Sequence, residues 1–343
     1  MTTSLPEYFR PLPQRDGPRP EDAVPLAGGG LWFTEAVRLS RDAAPRRVPV
    51  AEIPRDWLER LSAPRAPLAG LPMDRSRVMG IVNVTPDSFS DGGRLRDSAA
   101  AAQDARAMVA AGADIVDIGG ESTRPGADTI ADELEIERTR PVIEALAGDL
   151  GAPISIDTRK RAVAEAAVAA GAAIVNDVSG LLHDPALAGL VMDRDLPVCV
   201  MHAKGDPKTM QDDPRYDDVL LDVYDWLAGR VEALEAQGIP RANIVVDPGI
   251  GFGKTKAHNL ALLAGSALFH GLGCPVLIGA SRKRFIGTIT GTERPADRMP
   301  GSVAVALEAA ARGAQILRVH DVPETVQALR VRAALSEGES DVA

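Results

Sequence analysis

A short pattern recurs from Val78 onward. An alanine-rich segment ends in Gly-Ala and is followed at once by an apolar, β-branched run that ends in polar residues; three copies are Ala110–Glu121, Ala169–Val178 and Ala311–Asp321. Glycine after a helix supplies a left-handed cap without steric penalty. A strand that is apolar on both faces is typical of a parallel sheet covered by helices. The pattern therefore predicts repeated helix–strand units in an α/β fold.

Eight such strands are expected, separated by helical segments rich in Ala, Leu, Glu and Arg. Eight strands with helical crossovers over about 250 residues are typical of a (β/α)8 TIM barrel. The alternative, an open doubly wound sheet, needs a glycine-rich phosphate loop at one switch point, whereas here polar residues follow nearly every strand. We predict the barrel over residues 76–335, with strands at Val78–Val84, Ile115–Ile118, Ile154–Ile156, Ile174–Val175, Val198–Met201, Ile244–Val246, Val276–Ile278 and Ile316–Val319.

The two ends of the chain differ from the barrel. Residues 1–75 are rich in Pro and Arg and are predicted to be an N-terminal extension of unknown role that packs on the barrel. Within it we expect strands at Leu31–Leu39 and Val48–Val50 and a helix at Pro54–Leu61. The small, acidic segment 336–343 is predicted to be a disordered tail.

Composition excludes several classes of function. The net charge of −10 argues against a nucleic-acid partner. No apolar run approaches the roughly 20 residues that a membrane span needs, and the N-terminus lacks the apolar core of a signal peptide. The two cysteines, Cys199 and Cys274, show no metal-ligand spacing and are expected to be buried and reduced. These features favour a cytoplasmic enzyme.

Polar residues at the strand ends form the candidate site, because these ends meet at one rim of a barrel. Asp157, Asn176 and Asp247 offer acceptors and an amide suited to a flat heterocycle with several N–H groups. Cationic and neutral donors suit an anion such as a phosphate with a bound cation, and Asn83 would supply a neutral oxygen to Mg²⁺. The anion set comprises Asn83, Lys283, Arg318 and His320. We interpret Asp177 and Ser155 as ordinary turn or cap residues.

Three loops complete the candidate site. Asp247–Thr255 alternates glycines and lacks the first glycine of a P-loop, since Pro248 stands there. Phe252 in this loop is either a ring-stacking residue or a loop-packing residue. The segments Thr85–Arg94 and Ser122–Asp128 are polar and contain glycine, which is typical of lids over a barrel site.

These motifs closely resemble those of the dihydropteroate synthases, in the same order over residues 78–333. The resemblance rests on Met79–Gly93, Asp117–Gly126, Ser155–Thr158, Asn176–Gly180, Met201-His202 with Pro207–Gln211, Asp247–Thr255, Ser281–Lys283, Arg298–Ser302 and Arg318–His320. It implies an enzyme that joins 4-aminobenzoate to (7,8-dihydropterin-6-yl)methyl diphosphate, giving 7,8-dihydropteroate and diphosphate. It also implies a homodimer and competition between sulfonamides and aminobenzoate.

The resemblance further assigns roles to single residues. The pterin would be held by Asp157, Asn176, Asp247 and Lys283; the diphosphate by Arg318, His320 and the Mg²⁺ ligand Asn83; the aminobenzoate by Thr123, Phe252 and Ser281. Phe89, Arg124 and Pro125 would lie on closing loops. Catalysis is assigned to Asp157, Lys283, Arg318 and His320.

The reaction itself suggests a loose, dissociative displacement. An aryl amine is a weak nucleophile and no activated base is evident, so stabilisation of the leaving group should carry most of the rate enhancement. Two alternatives share the acidic pterin-reading residues. One is a barrel methyltransferase that passes a methyl group from a reduced folate to a corrinoid, and the other is a non-catalytic pterin-binding paralogue.

Overall fold

The structure, a computed structural model, describes residues 6–84, 94–122, 129–205 and 210–337. Before the barrel it contains an antiparallel sheet in which one strand pairs with two others, a separate two-stranded pair and a helix. The elements are β1 (Tyr8–Pro11), β2 (Val24–Pro25), β3 (Trp32–Phe33), β4 (Glu35–Leu39), β5 (Arg46–Pro49) and α1 (Arg55–Ser62). Strand β4 lies between β1 and β5, and β2 pairs with β3.

The predictions for this extension were partly correct. Strand β5 and helix α1 lie where the second strand and the helix were expected. The predicted strand Leu31–Leu39 is interrupted at Thr34, because β3 and β4 pair with different partners. Strand β1 was not predicted.

In the described part of the chain, eight parallel strands form one sheet and helices follow them. The strands are β6 (Arg77–Asn83), β7 (Ile115–Gly119), β8 (Ile154–Asp157), β9 (Ile174–Asp177), β10 (Val198–Met201), β11 (Ile244–Asp247), β12 (Leu277–Ile278) and β13 (Ile316–Val319). The helices are α2 (Arg94–Ala110), α3 (Asp132–Leu146), α4 (Arg161–Ala170), α5 (Ala186–Asp193), α6 (Val219–Ala236), α7 (Lys256–Gly265), α8 (Arg284–Thr290), α9 (Met299–Ala311) and α10 (Val322–Glu337).

The sheet closes into a barrel. Strands β6 to β11 are neighbours in chain order, β13 pairs with β6, and β12 pairs with β13. A parallel bridge between Val246 and Val276 joins β11 to the residues that precede β12. The predicted (β/α)8 barrel is therefore confirmed. Helix α10 reaches two residues into the predicted tail, and residues 338–343 lie outside the described part.

Alternation along the strands separates two environments. Val78, Val116 and Val200 pack outward against the helices, whereas their neighbours point into the barrel. The inward apolar layer consists of Met79, Ile115, Ile174, Cys199, Val245, Leu277 and Ile316, with Leu68 and Met73 of the preceding segment packed beneath it. The next inward position, two residues further along a strand, is polar at several strands. The barrel is thus closed at its N-terminal end and polar at its C-terminal end.

The extension packs against α6 and the 3₁₀ helix Ser266–Leu272. The Tyr8 hydroxyl donates to both carboxylate oxygens of Asp225 at 2.9 Å. The Trp57 ring stacks on Tyr224 with centroids 5.5 Å apart, and the Arg65 guanidinium donates to the carbonyls of His270 and Cys274 at 3.0 and 3.2 Å. No helix in the described segments is long and apolar enough to cross a membrane.

Candidate active site

Arg318 lies at the centre of the polar end of the barrel. Its Nε donates to Asp117 Oδ2 and its Nη2 to Asp157 Oδ2, both at 2.6 Å. Asn176 Nδ2 donates to the same oxygen of Asp117 at 3.0 Å. Strands β7, β8, β9 and β13 are therefore linked by side chains that the alternating pattern points inward. This network joins three of the predicted site residues.

The network is charged and buried. Burial raises the pKa of Asp157, and the neighbouring Asp117 raises it further, while Arg318 opposes both effects. Burial also lowers the pKa of Arg318, but Asp117 and Asp157 outweigh it, so the pKa is raised and the guanidinium stays charged. Within the described structure, Asp117 Oδ1 and Asp157 Oδ1 are buried without a hydrogen-bond partner. These oxygens are acceptors suited to a ligand with N–H donors.

Asp247 and Lys283 form a second part of the site. Asp247 Oδ1 accepts a hydrogen bond from the Gly249 amide at 2.7 Å, and burial raises the pKa of Asp247. Burial lowers the pKa of Lys283 to about 8, although Asp247 opposes the shift. The Lys283 ammonium donates to the Ile250 carbonyl and lies 4.4 Å from the centroid of the Phe252 ring. In this structure Phe252 therefore packs on a cation.

Ser281 and His320 are in direct contact. Ser281 Oγ lies 3.0 Å from His320 Nδ1 and accepts from the His320 amide at 3.2 Å. Between Ser281 and Lys283 the chain is strained, because Arg282 has a φ of +58°. The Arg282 side chain is held by Asp321 at 2.5 Å. Ser281 and Lys283 therefore belong to the site, whereas Arg282 between them pairs with Asp321.

The glycine-rich loop is shaped by close backbone contacts. A Cβ at Gly249 would lie 1.9 Å from the His202 carbonyl oxygen, and one at Gly253 would lie 2.5 Å from that of Lys204. Both glycines have positive φ. Beneath the loop, Lys254 Nζ lies 2.9 Å from both His202 Nδ1 and the Phe252 carbonyl oxygen. Burial lowers the pKa of Lys254 to about 7 and that of His202 to about 3.

Three features of the site were missed or misread from the sequence. Asp117 was named only as the first residue of a motif and received no role, although it stands two residues after the inward-facing Ile115, as Asn176 does after Ile174. Lys254 was not singled out. Ser155 was interpreted as a turn residue, which is wrong: it lies within β8, fully buried. Asp177 is a turn residue as expected, since it accepts from the Ser179 and Leu181 amides at 2.6 and 2.9 Å.

A buried ion cluster lies behind the rim. Lys160 Nζ donates to Glu121 Oε2 and to Glu135 Oε2, each at 2.8 Å. Arg159 Nη2 donates to the other oxygen of Glu121 at 2.6 Å. Burial raises the pKa of Glu121, but the hydrogen bonds from Lys160, the Ile130 amide and Arg159 outweigh it and the pKa is lowered. The cluster therefore joins Glu121, which follows β7, to Ile130, which precedes α3.

The remaining predicted residues are Asn83 and four residues of the two glycine-containing loops. Phe89, Thr123, Arg124 and Pro125 lie outside the described residues. Asn83 is half-buried at the end of β6. Among the described residues no group of three or more His, Cys, Asp or Glu side chains could hold a metal ion. Any cation here would need most of its ligands from a substrate or from water.

Known proteins resemble this chain over the segment that contains the candidate active site. The family model described as "Pterin binding enzyme" matches residues 79–320. A dihydropteroate synthase of Escherichia coli K12 is 46% identical over 271 residues, covering 79% of this chain and 95% of that protein. A probable bifunctional folylpolyglutamate synthase/dihydropteroate synthase of Haloferax volcanii is 51% identical over 261 residues, 76% of this chain but 31% of that longer protein. The structure of Xanthomonas albilineans dihydropteroate synthase with 4-aminobenzoic acid is 50% identical, with a TM-score of 0.74, and covers 79% of this chain and 98% of that one.

Proposed function

The chain belongs to the family of pterin-binding enzymes and, within it, to the dihydropteroate synthases, and we propose here how its barrel site performs that reaction. The enzyme condenses (7,8-dihydropterin-6-yl)methyl diphosphate with 4-aminobenzoate to give 7,8-dihydropteroate and diphosphate. One observation carries the proposed mechanism: Arg318 bridges Asp117 and Asp157 and leaves one buried oxygen of each carboxylate for a ligand. No observation favours the methyltransferase or the non-catalytic alternative.

The pterin ring fits the carboxylate-rich part of the site. Its amino and ring N–H groups would donate to the carboxylates of Asp157 and Asp247, both of which are buried. Asn176 already uses its amide nitrogen on Asp117, which leaves its oxygen as an acceptor. The Lys283 ammonium, which interacts electrostatically with Asp247, would donate to an acceptor of the ring. This arrangement requires a flat ligand with several donors on one edge.

The bond that breaks joins the pterin methylene carbon to the diphosphate oxygen, which keeps the electron pair. Positive charge then develops on the pterin methylene, and the carboxylates of Asp157 and Asp247 stabilise it. Arg318 and His320 bind the departing diphosphate. The aryl amine attacks the cationic carbon, and the amine then loses a proton to water. The carboxylate cluster therefore stabilises the same charge whose formation limits the reaction.

A divalent cation fits this site only as a companion of the diphosphate. Asn83 would supply one amide oxygen, and the diphosphate and water would supply the other ligands of Mg²⁺. When bound there, Mg²⁺ would neutralise negative charge on the leaving group. Isothermal titration with diphosphate should show binding that strengthens on addition of Mg²⁺, and Asn83→Leu should abolish that gain. Equal diphosphate binding with and without Mg²⁺ would contradict the proposal.

The dissociative step is tested by leaving out the second substrate. We expect slow release of diphosphate from the pterin substrate in the absence of 4-aminobenzoate, because the cation forms before the amine attacks. No release under these conditions would contradict the dissociative version.

In Lys283→Ala we expect the affinity for the pterin substrate to fall about tenfold or more, with little change in melting temperature. Arg194→Ala, at the opposite end of the barrel, is the matched control and should leave this affinity unchanged.

The proposal also includes the oligomeric state and the cellular location of the enzyme. We expect a homodimer that buries the apolar groove of about 300 Å³ between α7, α8 and α9, where Leu260 and Ile289 are 43% and 56% exposed. Ile289→Asp should shift the sedimentation coefficient to that of a monomer, whereas Leu335→Asp, on another face, should not. We also place the enzyme in the cytoplasm, in keeping with two buried free cysteines; cell fractionation tests this.

A further inference from the structure

Side chains of the segment between β10 and α6 bind the backbone of the glycine-rich loop at two carbonyl groups. Gln211 Nε2 donates to the Gly251 carbonyl at 2.5 Å, and the Tyr216 hydroxyl donates to the Gly253 carbonyl at 2.9 Å. Phe252 lies between these two glycines. The backbone on both sides of Phe252 is therefore held by side chains from outside the loop.

Tyr216 also contacts the far end of the same loop. Its ring packs edge-on against His258 with the centroids 5.0 Å apart, and His258 forms the capping box of α7 with Thr255, the last residue of the loop. Burial and, to a smaller extent, the Asp222 carboxylate raise the pKa of Tyr216 to about 12. The phenol therefore stays protonated at neutral pH and donates to the Gly253 carbonyl.

The N-terminal extension reaches Tyr216 through Asp222 of α6. One oxygen of Asp222 accepts from the amide of Asp217, the residue directly after Tyr216, at 3.0 Å. The other oxygen accepts from Arg41 Nη1 at 2.7 Å. Arg41 lies between β4 and β5, and its Nη2 donates to Asp225 at 2.6 Å. A continuous chain of contacts thus runs from the extension to the glycine-rich loop.

The Arg41 contacts form a network rather than an isolated ion pair. The side chains of Arg41 and Asp222 are 29% and 26% exposed, and the Asp225 carboxylate also accepts from the Tyr8 hydroxyl of β1. Hydrogen bonds to Asp225 and Asp222 raise the pKa of Arg41, so its guanidinium stays charged. Ion pairs at a surface contribute measurably when several charges form one network.

We propose that the N-terminal extension positions Phe252 for the reaction, with Tyr216 as the positioning residue and Arg41 as the contact that holds it. The inference rests on the proposed function, and in particular on the contact between Phe252 and 4-aminobenzoate that the family resemblance implies. Arg41 precedes residue 79, where the match to the family model begins. This chain thus supports the aminobenzoate side of its site with a segment outside the family model.

Initial rates measured against each substrate separate a positioning role from a general structural one. Tyr216→Phe removes only the hydroxyl, and we expect the KM for 4-aminobenzoate to rise about fivefold, with little change in kcat or in the KM for the pterin substrate. Arg41→Ala should raise the same KM about threefold. Arg38→Ala is the matched control, because Arg38 pairs with Glu7 inside the extension at 3.4 Å, and it should leave all three constants unchanged.

The double variant Arg41→Ala/Tyr216→Phe tests whether the two residues act in series. If Arg41 acts through Tyr216, the KM for 4-aminobenzoate should equal that of Tyr216→Phe alone, about fivefold above wild type. A KM that rises by the product of the two single effects, about fifteenfold, would show that the residues act independently. That result would overturn the proposal.

Amide hydrogen exchange in the glycine-rich loop gives a readout that does not depend on catalysis. The Phe252 amide donates to the Gly249 carbonyl at 3.1 Å. It should exchange faster in Arg41→Ala and in Tyr216→Phe than in the wild-type chain or in Arg38→Ala. Unchanged exchange in Arg41→Ala would overturn the link to the extension. Faster exchange without a rise in KM would instead contradict the contact of Phe252 with aminobenzoate, which belongs to the proposed function.

Discussion

Arg318 illustrates how a single residue organises the catalytic end of the barrel. Two carboxylates and a guanidinium removed from water are costly unless they compensate one another. Asp117 and Asp157 each contact Arg318 at 2.6 Å, and Asn176 donates to Asp117 as well. The fold thereby holds acceptors in a buried place where isolated carboxylates would protonate.

Lys254 provides a residue-scale prediction. Its three ammonium hydrogens match three acceptors: His202 Nδ1, the His202 carbonyl and the Phe252 carbonyl, at 2.9, 3.3 and 2.9 Å. Lys254→Met keeps an unbranched side chain that is one heavy atom shorter, but it leaves these acceptors unpaired, and Phe252 loses its support. We expect the KM for 4-aminobenzoate to rise about tenfold, at a cost of roughly 1–3 kcal/mol in stability, with a smaller change in kcat.

Steady-state kinetics with each substrate varied in turn checks this role. Lys204→Met, at an exposed lysine in the neighbouring loop, serves as the control and should leave both KM values near wild type. A KM for the pterin substrate that rises as much as that for aminobenzoate would show that Lys254 supports the whole site rather than Phe252.

At the scale of elements, the extension is joined to the barrel by aromatic packing. The Trp57 ring of α1 lies so close to Gly271 that a Cβ there would approach it to 2.1 Å. The same ring contacts Tyr224 and Phe9, and Tyr8 packs edge-on against Tyr224. Four aromatic rings of the chain therefore pack together where the extension meets α6.

Trp57→Ala should therefore weaken the attachment of the extension. Loss of a buried tryptophan costs about 3–5 kcal/mol in the free energy of unfolding, which urea denaturation would measure. Limited proteolysis should then cut before residue 67 faster than in the wild-type chain. Glu59→Ala, exposed on the same helix, is the control. An unchanged unfolding midpoint in Trp57→Ala would show that the extension contributes little to stability.

At the scale of the whole molecule, the two ends of the barrel serve different purposes. The C-terminal end carries the carboxylates and cations of the active site. The N-terminal end is filled by the inward apolar layer, with Leu68 and Met73 beneath it. The extension covers one side and joins α6 to the segment Ser266–Leu272. Substitutions in this interface between the extension, α6 and Ser266–Leu272 should therefore change the stability of the whole chain.

His270, which lies in this interface, leads to a prediction of how the free energy of unfolding depends on pH. Burial lowers the pKa of His270 to about 3, the nearby Arg65 lowers it further, and a hydrogen bond with the Arg312 carbonyl opposes the shift. Below a pH of about 6.5 the unfolded chain binds a proton that the folded chain excludes. The free energy of unfolding should thus fall as pH decreases from about 6.5 toward 3, by up to about 1.4 kcal/mol per unit.

Urea denaturation at several pH values measures this slope. His270→Gln should reduce the slope between pH 6 and 4 by about one proton, even though the variant is less stable at neutral pH. His183→Gln, at an exposed histidine, should keep the wild-type slope. An unchanged slope in His270→Gln would assign the acid sensitivity to other groups.

Much of the barrel could be predicted because its rules act over short distances along the chain. Helix α4 has the predicted bounds, and all eight predicted strands occur, two of them with the predicted bounds and the others with shifts of one or two residues at their ends. Boundaries shifted where hydrogen-bond partners decide them: β9 continues past Val175 because β8 pairs with Asn176 and β10 pairs with Asn176 and Asp177. The polar strand ends were found because each strand is an apolar run that stops at polar residues.

What the sequence determined by itself was the repeat, the number of strands and the set of polar side chains at their ends, since helix caps and strand alternation depend on neighbouring residues. Only the tertiary structure decided which of these side chains pair. Arg318 and Asp117 are 201 positions apart, and Tyr8 and Asp225 are 217 apart. Contacts over such separations arise from closure of the sheet and packing of the extension, and no local rule specifies them.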